Sequence, residues 1–351
     1  MYRLSFIGFG NVGRALALLL IRKQQELLER YGITFIAAGI YTAHHGWAID
    51  PQGINLAQAV ERVQRGESLD ALCAPSYQER KIENSFDFIR NCPADVLFEN
   101  TPVNHVTGEP AVSHLRLALE QNMHAITANK GAVVFGYHEL HRLARRKGRA
   151  FFFESTVMDG APIFSLFRAA LPAANLRAFR GVLNSTTNLI LTRMEENGES
   201  FEQAVQYAQQ IGIAETDPSA DVDGWDAAIK VAALVTVLMD FPLKPQEVER
   251  EGIREITPEK IAEARAEGKR WKLICTAERN GSGVKAKVMP QKVGPESPFY
   301  AVRGTTSIIE FQTDVLGDLS IIETDPGPET TAYGLLSDFI NAVSGPLRGA
   351  R

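Results

Sequence analysis

The stretch that decides the fold lies near the N-terminus and reads Gly8-Phe9-Gly10-Asn11-Val12-Gly13. It stands between an apolar stretch, residues 3–7, and an amphipathic one, residues 12–30, which predicts a strand, a glycine-rich turn and a helix. In that context Gly8 permits a tight turn, Gly10 lets a pyrophosphate approach the backbone, and Gly13 allows close helix–strand packing. The N–H groups that begin the helix can bind the anion. The six residues therefore predict a dinucleotide site; a glycine-rich turn without a ligand is the competing interpretation.

The first half of the chain repeats this alternation of strand and helix. Further strands are predicted at residues 33–40, 95–98, 124–128 and 150–154, with helices at 111–121 and 137–146 and one near 56–65. Such alternation is typical of βαβ units around a parallel sheet. We therefore predict an α/β fold with a Rossmann-type, doubly wound parallel sheet over residues 1–150.

The second half changes to longer helices interrupted by β-rich stretches. Helices are predicted at residues 187–196, 201–211 and 225–239, and strands at 176–183, 272–279, 284–290 and 307–313. Ser200 and Gln203 form a capping-box pattern for the second helix, and Asp223 is placed to cap the third. We expect a second, α+β domain over residues 151–314, and a return of residues 315–351 to the first domain.

Composition limits the function classes. The 351 residues hold 37 Lys plus Arg against 42 Asp plus Glu, and the net charge of -5 without a basic block excludes the pattern of a nucleic-acid-binding protein. The scattered Cys73, Cys92 and Cys275 fit a reducing, cytoplasmic setting. The apolar stretch at residues 15–21 is too short to cross a bilayer, and no targeting segment is expected. The expected partner is a small-molecule substrate, with neither nucleic acid nor a membrane.

The end of the second predicted strand bears on the choice of dinucleotide. Residues 40–46 contain no carboxylate, although an acidic residue there usually holds a ribose hydroxyl of NAD. This leaves room for the 2′-phosphate of NADP, with His44 or His45 as donors. A solvated turn is an equally good interpretation of the two histidines. The sequence therefore leaves NAD and NADP both open.

Thr101 and Lys130 follow two neighbouring strands of the predicted parallel sheet. Ligands of open α/β sheets bind at the carboxyl ends of the strands. We therefore expect both residues to face the cofactor. A lysine that only keeps a strand end soluble is the alternative interpretation of Lys130.

A carboxylate and a lysine share one helix face in the second half. Asp226 and Lys230 are four residues apart, with Asp221 just before the predicted helix. An exposed ion pair is the ordinary interpretation and contributes little. The helix continues into the apolar residues 231–235, however, so the pair is expected at the start of a buried segment, where the pKa of a lysine can shift. A buried lysine beside a carboxylate suits proton transfer to an alkoxide.

Several stretches together carry a family resemblance. They are GVLNSTTN at residues 181–188, LTRMEE at 191–196, AQQIGIAETDP at 208–218 and DVDGWDAAIK at 221–230. With the glycine turn and the Asn129-Lys130 pair, they resemble the homoserine dehydrogenase family over most of the chain. The resemblance implies an NAD(P)-dependent enzyme that interconverts L-aspartate 4-semialdehyde and L-homoserine in threonine and methionine biosynthesis. The second domain is then expected to bind substrate, carry out catalysis and form a homodimer.

The resemblance also implies roles for single residues. Lys230 matches the proton-transfer lysine, and Lys130 matches a second lysine near the nicotinamide and the substrate. The expected catalytic residues are Lys230, Lys130 and Asp226, and the expected substrate-binding residues are Glu215, Asp221, Asp226 and Thr186. A base with a cationic neighbour at the oxygen lowers the barrier, while the dinucleotide carries the hydride.

The loop at residues 154–162 corresponds to a family loop that can bind a monovalent cation, Na⁺ or K⁺. The expected ligands are Glu154 and the backbone near Val157, Asp159 and Ala161. Met158 and Asp159 stand where that loop is usually rich in glycine, and Ser185 replaces another usual glycine. These changes leave two alternatives open: a related dehydrogenase for a different hydroxy or amino acid, or a nucleotide-binding sensor without catalysis. A regulatory domain of the kind that some relatives carry is not expected.

Overall fold

The computed structural model describes residues 1–344, which form two compact units. The first unit is Met1–Ala170 with the segment that begins at Gly327, and the second is Leu171–Pro326. The first unit runs past residue 150 because Glu154 and Ser155 hydrogen-bond to Asp338 and Thr331 of the same unit. The returning segment begins at Gly327 rather than at residue 315, and residues 345–351 of that prediction lie outside the described residues.

The secondary structure of the described residues is as follows. The strands are β1 (Tyr2–Ile7), β2 (Phe35–Tyr41), β3 (Trp47–Ile49), β4 (Val96–Glu99), β5 (His124–Thr127), β6 (Phe151–Phe152), β7 (Leu176–Val182), β8 (Glu249–Arg250), β9 (Arg270–Asn280), β10 (Gly283–Val293), β11 (Ser307–Thr313) and β12 (Asp318–Glu323). The α-helices are α1 (Asn11–Tyr31), α2 (Leu56–Gln64), α3 (Pro75–Gln78), α4 (Ser85–Asn91), α5 (Ala111–Glu120), α6 (Lys130–Lys147), α7 (Ser185–Asn197), α8 (Phe201–Gln210), α9 (Ser219–Val222), α10 (Trp225–Leu238), α11 (Pro258–Ala266) and α12 (Pro328–Ser344). None of these helices is both long and apolar enough to span a membrane.

The first unit holds a six-stranded sheet in the order β3-β2-β1-β4-β5-β6. The strand β1 pairs in parallel with β2 and β4, and the parallel pairing continues through β5 to β6. The doubly wound parallel sheet predicted from the alternation of strands and helices is confirmed. The sequence did not predict β3, which pairs antiparallel with β2 and forms one edge of the sheet.

The helix α12 is anchored on the first unit by aromatic packing. The ring of Phe339, which is fully buried, meets the rings of Tyr2, Phe35 and Phe98 edge-on at centroid distances of 6.1, 6.4 and 6.2 Å. Each such pair contributes about 0.5–1.5 kcal/mol beyond the buried area. The C-terminal segment is therefore part of the core of this unit.

The second unit holds a six-stranded sheet in the order β12-β11-β7-β9-β10-β8. Its pairs are antiparallel except for the short parallel pair of β8 and β10. The apolar helix α10 packs on β9 and β10, and α7 packs on β9. This arrangement confirms the predicted α+β class and places the predicted catalytic helix, α10, on the inner strands.

Of the two helix N-caps predicted in the second unit, the cap of α8 is confirmed and the cap of α10 is wrong. Ser200 Oγ accepts the N–H of Gln203, whose Oε1 accepts the N–H of Ser200, so the capping box is confirmed. The cap predicted at Asp223 is wrong. Gly224 occupies the N-cap of α10 with φ +78°, a left-handed conformation that suits glycine, while Asp223 pairs with Arg254.

Candidate active site

The glycine turn of the first unit packs against the loop that follows β4. Gly8 has a φ of +84°, and a Cβ at this position would lie 2.4 Å from the carbonyl oxygen of Asn100. A Cβ on Gly13 would lie 2.6 Å from the carbonyl oxygen of Gly8, so the start of α1 packs directly on the turn. Neither position has room for a side chain, which is the close packing that the glycine pattern predicts.

Gly10 has an open Cβ side. No described atom lies within 4 Å of a Cβ built there, and Phe9 beside it is buried in the core. Gly10 is also the N-cap of α1, and among the described residues no side chain caps this end. Asn11 instead accepts a hydrogen bond from the Arg14 guanidinium. The first N–H groups of α1 and the space over Gly10 therefore fit the pyrophosphate of a dinucleotide.

Asn100 places a buried amide beside the same turn. Its Oδ1 and Nδ2 are both buried, and neither has a hydrogen-bond partner among residues 1–344. Such unsatisfied buried groups are rare in folded proteins, so the pair of atoms fits a polar ligand. Sequence reasoning missed Asn100. The signal that could have found it is its place directly after a parallel strand, at the carboxyl edge of the sheet.

Thr101 and Lys130 lie where the sequence predicts, after β4 and at the start of α6. The side chain of Asn129 joins the two loops. Its Oδ1 accepts the N–H of Gly131 at 3.0 Å and caps α6, while its Nδ2 donates to the carbonyl oxygen of Thr101 at 3.0 Å. The position of Lys130 is therefore tied to that of Thr101.

The turn between β2 and β3 holds His44 and His45. The hydroxyl of Thr42 closes the turn by donating to the carbonyl of Gly46 at 3.1 Å and accepting the N–H of His45 at 2.7 Å. His44 is exposed, and Nδ1 of His45 is buried without a partner in the described part of the chain. The only cationic side chains that this turn can offer a 2′-phosphate are the two histidines.

A polar cluster in the second unit joins three of the predicted site residues. Asn184 Nδ2 donates to Oδ1 of Asp221 at 2.7 Å and to Oδ2 of Asp226 at 3.0 Å. Nζ of Lys230 lies 3.4 Å from Oδ2 of Asp226 and donates to the carbonyl oxygen of Leu183 at 2.6 Å. The N-terminal end of α7, which carries Asn184 as its N-cap, is thus bonded to α10. Sequence reasoning gave no role to Asn184 or to the carbonyl of Leu183.

This cluster is mostly enclosed and carries excess negative charge. The side chains of Lys230 and Asp226 are only 14% and 15% exposed. Burial, with the charge of Asp226 as the next cause, raises the pKa of Asp221, and hydrogen bonds from Asn184 and Thr186 oppose the rise. Two carboxyl groups stand beside one lysine. The cluster can therefore stabilise a further cationic group.

Thr186 contacts the cluster through its hydrogen bond to Asp221, whereas Glu215 is not part of it. The hydroxyl of Thr186 donates to the carbonyl oxygen of Ile213 at 3.4 Å. Glu215 is exposed in the turn after α8, where Gln209 bonds its backbone carbonyl. No hydrogen bond among the described residues joins the Glu215 carboxylate to the cluster. Ser185 begins α7, with its hydroxyl 3.5 Å from that of Ser307.

Two of the predicted cation ligands accept hydrogen bonds from the protein. The carboxylate of Glu154 accepts the N–H of Phe164 at 2.6 Å and that of Ser165 at 2.8 Å. The carbonyl oxygen of Ala161 accepts the N–H of Ile163 at 2.8 Å, and Val157 is buried between them in the loop. The Asp159 carboxylate bonds to the N–H of Gly327 at 2.6 Å and to the hydroxyl of Thr330 at 2.9 Å. The Glu154 carboxylate and the Ala161 carbonyl, two of the four predicted ligands, thus hold hydrogen bonds within this loop.

Comparison with known proteins identifies the family. Residues 8–154 match the homoserine dehydrogenase NAD-binding domain, and residues 162–340 match homoserine dehydrogenase. The chain belongs to the homoserine dehydrogenase family. It is accordingly an NAD(P)-dependent oxidoreductase that acts on a CH–OH group, as the resemblance implied.

Relatives within the family cover nearly the whole chain. The NAD(+)-dependent homoserine dehydrogenase of Pseudomonas canavaninivorans is 36% identical over 341 residues, which are 97% of this chain and 96% of the relative. The homoserine dehydrogenase of Methanocaldococcus jannaschii is 35% identical over 95% of this chain and 96% of its own. A solved structure from Archaeoglobus fulgidus has a TM-score of 0.85 at 30% identity, covering 97% of this chain and 99% of that one. The crystal structure of a homoserine dehydrogenase from Thiobacillus denitrificans has a TM-score of 0.81 at 26% identity, covering 99% and 75%.

Proposed function

We propose that this family member interconverts L-homoserine and L-aspartate 4-semialdehyde, and that Lys230 exchanges the proton at the reacting oxygen. The observation that carries the proposal is the enclosed cluster of Asn184, Asp221, Asp226 and Lys230. It combines a proton-transfer group with an excess of carboxyl groups. An amino-acid substrate that carries an ammonium group and a hydroxyl or an aldehyde matches both features.

Substrate binding rests on the carboxyl groups of Asp221 and Asp226. Asn184 bonds to both and fixes their separation, so both can face one ammonium group. The ammonium of homoserine supplies the positive charge that the cluster lacks and stabilises the ionised form of both carboxylates. Thr186 and Glu215 are assigned as further substrate contacts. Asp226 also serves catalysis as the carboxylate next to Lys230.

Proton transfer is assigned to the amino group of Lys230. In the oxidation, neutral Lys230 takes the proton of the alcohol as the carbon–hydrogen bond breaks; in the reduction, its ammonium returns a proton to the aldehyde oxygen. The carbonyl oxygen of Leu183 and the carboxylate of Asp226 orient Nζ from two directions. Residues 8–13, Thr101 and Lys130 would hold NAD(P), which would supply the hydride acceptor for the oxidation. Lys130 is assigned as the second cationic group that stabilises the developing alkoxide.

A steady-state assay of L-homoserine oxidation tests this function. The purified protein is expected to reduce NAD or NADP with L-homoserine, measured by the absorbance of the reduced nicotinamide. Folded protein that binds the reduced cofactor but oxidises no substrate would instead support a sensor. Faster turnover of another hydroxy or amino acid in a substrate panel would favour the related dehydrogenase.

We further propose NAD as the preferred cofactor. The turn after β2 offers only histidines to a 2′-phosphate, and His44 alone of the two is exposed. The relative from Pseudomonas canavaninivorans is named as NAD(+)-dependent. The expected result is a higher kcat/KM with NAD than with NADP. A preference for NADP that is lost in His44→Ala, with NAD use unchanged, would show that His44 binds the phosphate.

We propose that catalysis does not depend on Na⁺ or K⁺, because the Glu154 carboxylate and the Ala161 carbonyl already accept hydrogen bonds within the protein. Activity and melting temperature are compared in sodium, potassium and tetramethylammonium chloride at equal ionic strength. Equal values in the three salts are expected. A specific rise in both with one alkali ion would restore the cation assignment.

We also propose a homodimer through the outer strands of the second sheet. The edge strand β12 and the turn before it carry Ile322, Val315 and Leu316 at 60%, 67% and 54% exposure. An exposed apolar edge strand is covered in most native proteins. Light scattering of the purified protein is expected to give twice the chain mass, and Ile322→Lys to give the monomer.

In the cell, we propose a cytoplasmic enzyme of threonine and methionine biosynthesis. The support is the family resemblance together with Cys73, Cys92 and Cys275, which are all buried free thiols. Expression of this chain is expected to restore growth of a homoserine auxotroph on minimal medium. Growth that is restored equally well by Lys230→Ala would contradict the catalytic assignment.

A further inference from the structure

Glu99, the last residue of β4, is fully buried between the two loops that carry Thr101 and Lys130. Its Oε1 accepts the hydroxyl of Thr101 and, at 3.3 Å, the N–H of the same residue. The hydroxyl of Thr127, the last residue of β5, donates to the backbone carbonyl oxygen of Glu99 at 2.8 Å and to its Oε2 at 3.1 Å. Glu99 therefore joins the carboxyl ends of two neighbouring parallel strands, through its carboxylate and its backbone carbonyl.

The hydrogen bonds continue from Thr127 to the start of α6. The Thr127 hydroxyl accepts the N–H of Asn129 at 2.9 Å, and the Asn129 side chain caps α6 while holding the carbonyl of Thr101. Lys130 is the first residue of that helix. The chain of bonds thus runs from Glu99 through Thr127 and Asn129 to Lys130, and returns to Thr101.

His114, in α5, supports Glu99 from behind. Its Nδ1 lies 3.5 Å from Oε1 of Glu99, and its Nε2 lies 2.7 Å from Oγ of Ser85. The side chains of His114 and Glu99 are 1% and 0% exposed. The ring of Phe86 lies 5.0 Å from the imidazole ring. A buried carboxylate without polar partners would be strongly disfavoured. The imidazole and the two hydroxyls keep this one satisfied inside the unit.

We propose that Glu99, supported by His114, is a positioning residue of the active site. Its carboxylate fixes the loop that carries Thr101 and the N-terminus of the helix that begins with Lys130. This inference rests on the proposed function, which assigns both of those residues to the cofactor and the reacting oxygen. Glu99 makes its contacts with the loops and not with the reacting atoms. Loss of the carboxylate should therefore displace Thr101 and Lys130, and a displacement of about 1 Å lowers kcat strongly.

The test uses the isosteric variant Glu99→Gln, because the amide cannot accept from both threonine hydroxyls. Its kcat/KM for L-homoserine is expected to fall by about 10–100-fold, mainly in kcat, as a displacement of about 1 Å would cause. Its dissociation constant for NADH, measured by fluorescence, is expected to rise several-fold. Glu139→Gln is the matched control, because Glu139 lies on α6 as an exposed ion-pair partner of Arg116. The control should match the wild type in both measurements.

Thr127 supplies an independent test should Glu99→Gln fail to fold. Thr127→Val has the same shape without the hydroxyl, and Thr127→Ser restores the hydroxyl. The positioning role predicts that Thr127→Ser recovers most of the kcat lost in Thr127→Val. Equal losses in the two variants would indicate a packing role and overturn the proposal.

Two further outcomes separate this proposal from the proposed function. Unchanged kcat and NADH affinity in folded Glu99→Gln would overturn the positioning role while the homoserine activity stands. A wild type that binds NADH but does not oxidise homoserine would refute the proposed function. The NADH affinities of the Glu99 and Thr127 variants would then still decide whether Glu99 positions the cofactor loops.

Discussion

Nζ of Lys230 lies 3.4 Å from Oδ2 of Asp226, one helical turn earlier in α10, and both side chains are more than four-fifths buried. Asp226 also accepts a hydrogen bond from Asn184 at 3.0 Å. A buried ion pair of this kind is weak evidence for stability, since desolvation offsets the attraction between the charges. Its placement is better explained by the chemistry of the site, where a lysine must both hold and release a proton.

Removal of the Lys230 amine should abolish most of the turnover and leave the protein folded. Lys230→Met keeps the length of the side chain but not the amine, and kcat is expected to fall by about two to four orders of magnitude. Lys285→Met, at an exposed position of β10, is the matched control and should keep wild-type activity. A loss below about tenfold in folded Lys230→Met would remove the lysine from the proton-transfer role.

The buried carboxyl group of Asp221 should lower the free energy of unfolding of the ligand-free protein at neutral pH. Burial and the charge of Asp226 raise its pKa above 3.8, so the folded state binds more protons than the unfolded state in the window above pH 3.8. The free energy of unfolding therefore falls as pH rises through that window, and the loss persists at neutral pH. Asp221→Asn removes this loss, and the ligand-free variant should melt at a higher temperature than the wild type at pH 7.

The same substitution should weaken substrate binding. Loss of one charged hydrogen-bond partner for the ammonium group predicts a rise of about 10–100-fold in KM for L-homoserine. Asp318→Asn, at an exposed position of β12, is the control for both measurements. An Asp221→Asn protein that is less stable than the wild type at pH 7, with an unchanged KM, would contradict both arguments.

The sequence predicted the parts of the site that depend on local spacing. The separation of four residues between Asp226 and Lys230, followed by the apolar residues 231–235, predicted a buried pair on one helix face. The strand, glycine turn and helix at the N-terminus similarly follow from a local pattern. Both are confirmed because a helix face and a tight turn are set within a few residues.

The contacts that complete the site join residues far apart in the chain. Asn184 lies 37 and 42 residues before the carboxylates that it bonds, so no periodic pattern connects them. The Asp159 carboxylate bonds to Gly327 and Thr330, which lie 168 and 171 residues further along the chain. The sequence did not predict the strand β3, which pairs with β2 across a short turn. Such pairings depend on tertiary packing rather than on local propensity.

Substitution by alanine should have different effects at two glycines of the turn, on stability at Gly8 and on cofactor binding at Gly10. A Cβ on Gly8 would meet the backbone of Asn100, and the φ of +84° is unfavourable for alanine, so Gly8→Ala should lower the free energy of unfolding by more than about 1 kcal/mol. Gly10 has a φ of -74° and open space at its Cβ, so Gly10→Ala should leave the melting temperature near that of the wild type. The new methyl group should instead raise the dissociation constant for NADH. Gly10→Ala with unchanged NADH affinity would contradict the dinucleotide site.

Lys272 should make the free energy of unfolding depend on pH in the alkaline range. The side chain is 1% exposed in β9, and its Nζ donates to Oδ1 of Asn188 at 2.8 Å and to the carbonyl oxygen of Val302. Burial lowers the pKa of Lys272 from 10.5 to about 8. Between these values the unfolded chain binds the proton and the folded protein does not, so the free energy of unfolding rises with pH.

Comparison with Lys272→Met isolates this contribution. The variant loses the two hydrogen bonds at every pH, but it has no proton to exchange. The difference in unfolding free energy between wild type and variant should therefore shift toward the wild type by about 3 kcal/mol from pH 7 to pH 10.5, since each pKa unit corresponds to about 1.4 kcal/mol. Urea unfolding at intervals of one pH unit measures the shift, with Lys285→Met as the exposed control, for which the difference should stay constant. A difference that is equally flat for Lys272→Met would mean that the buried amine keeps its ordinary pKa, and that its hydrogen bonds to Asn188 and Val302 fully offset the cost of burial.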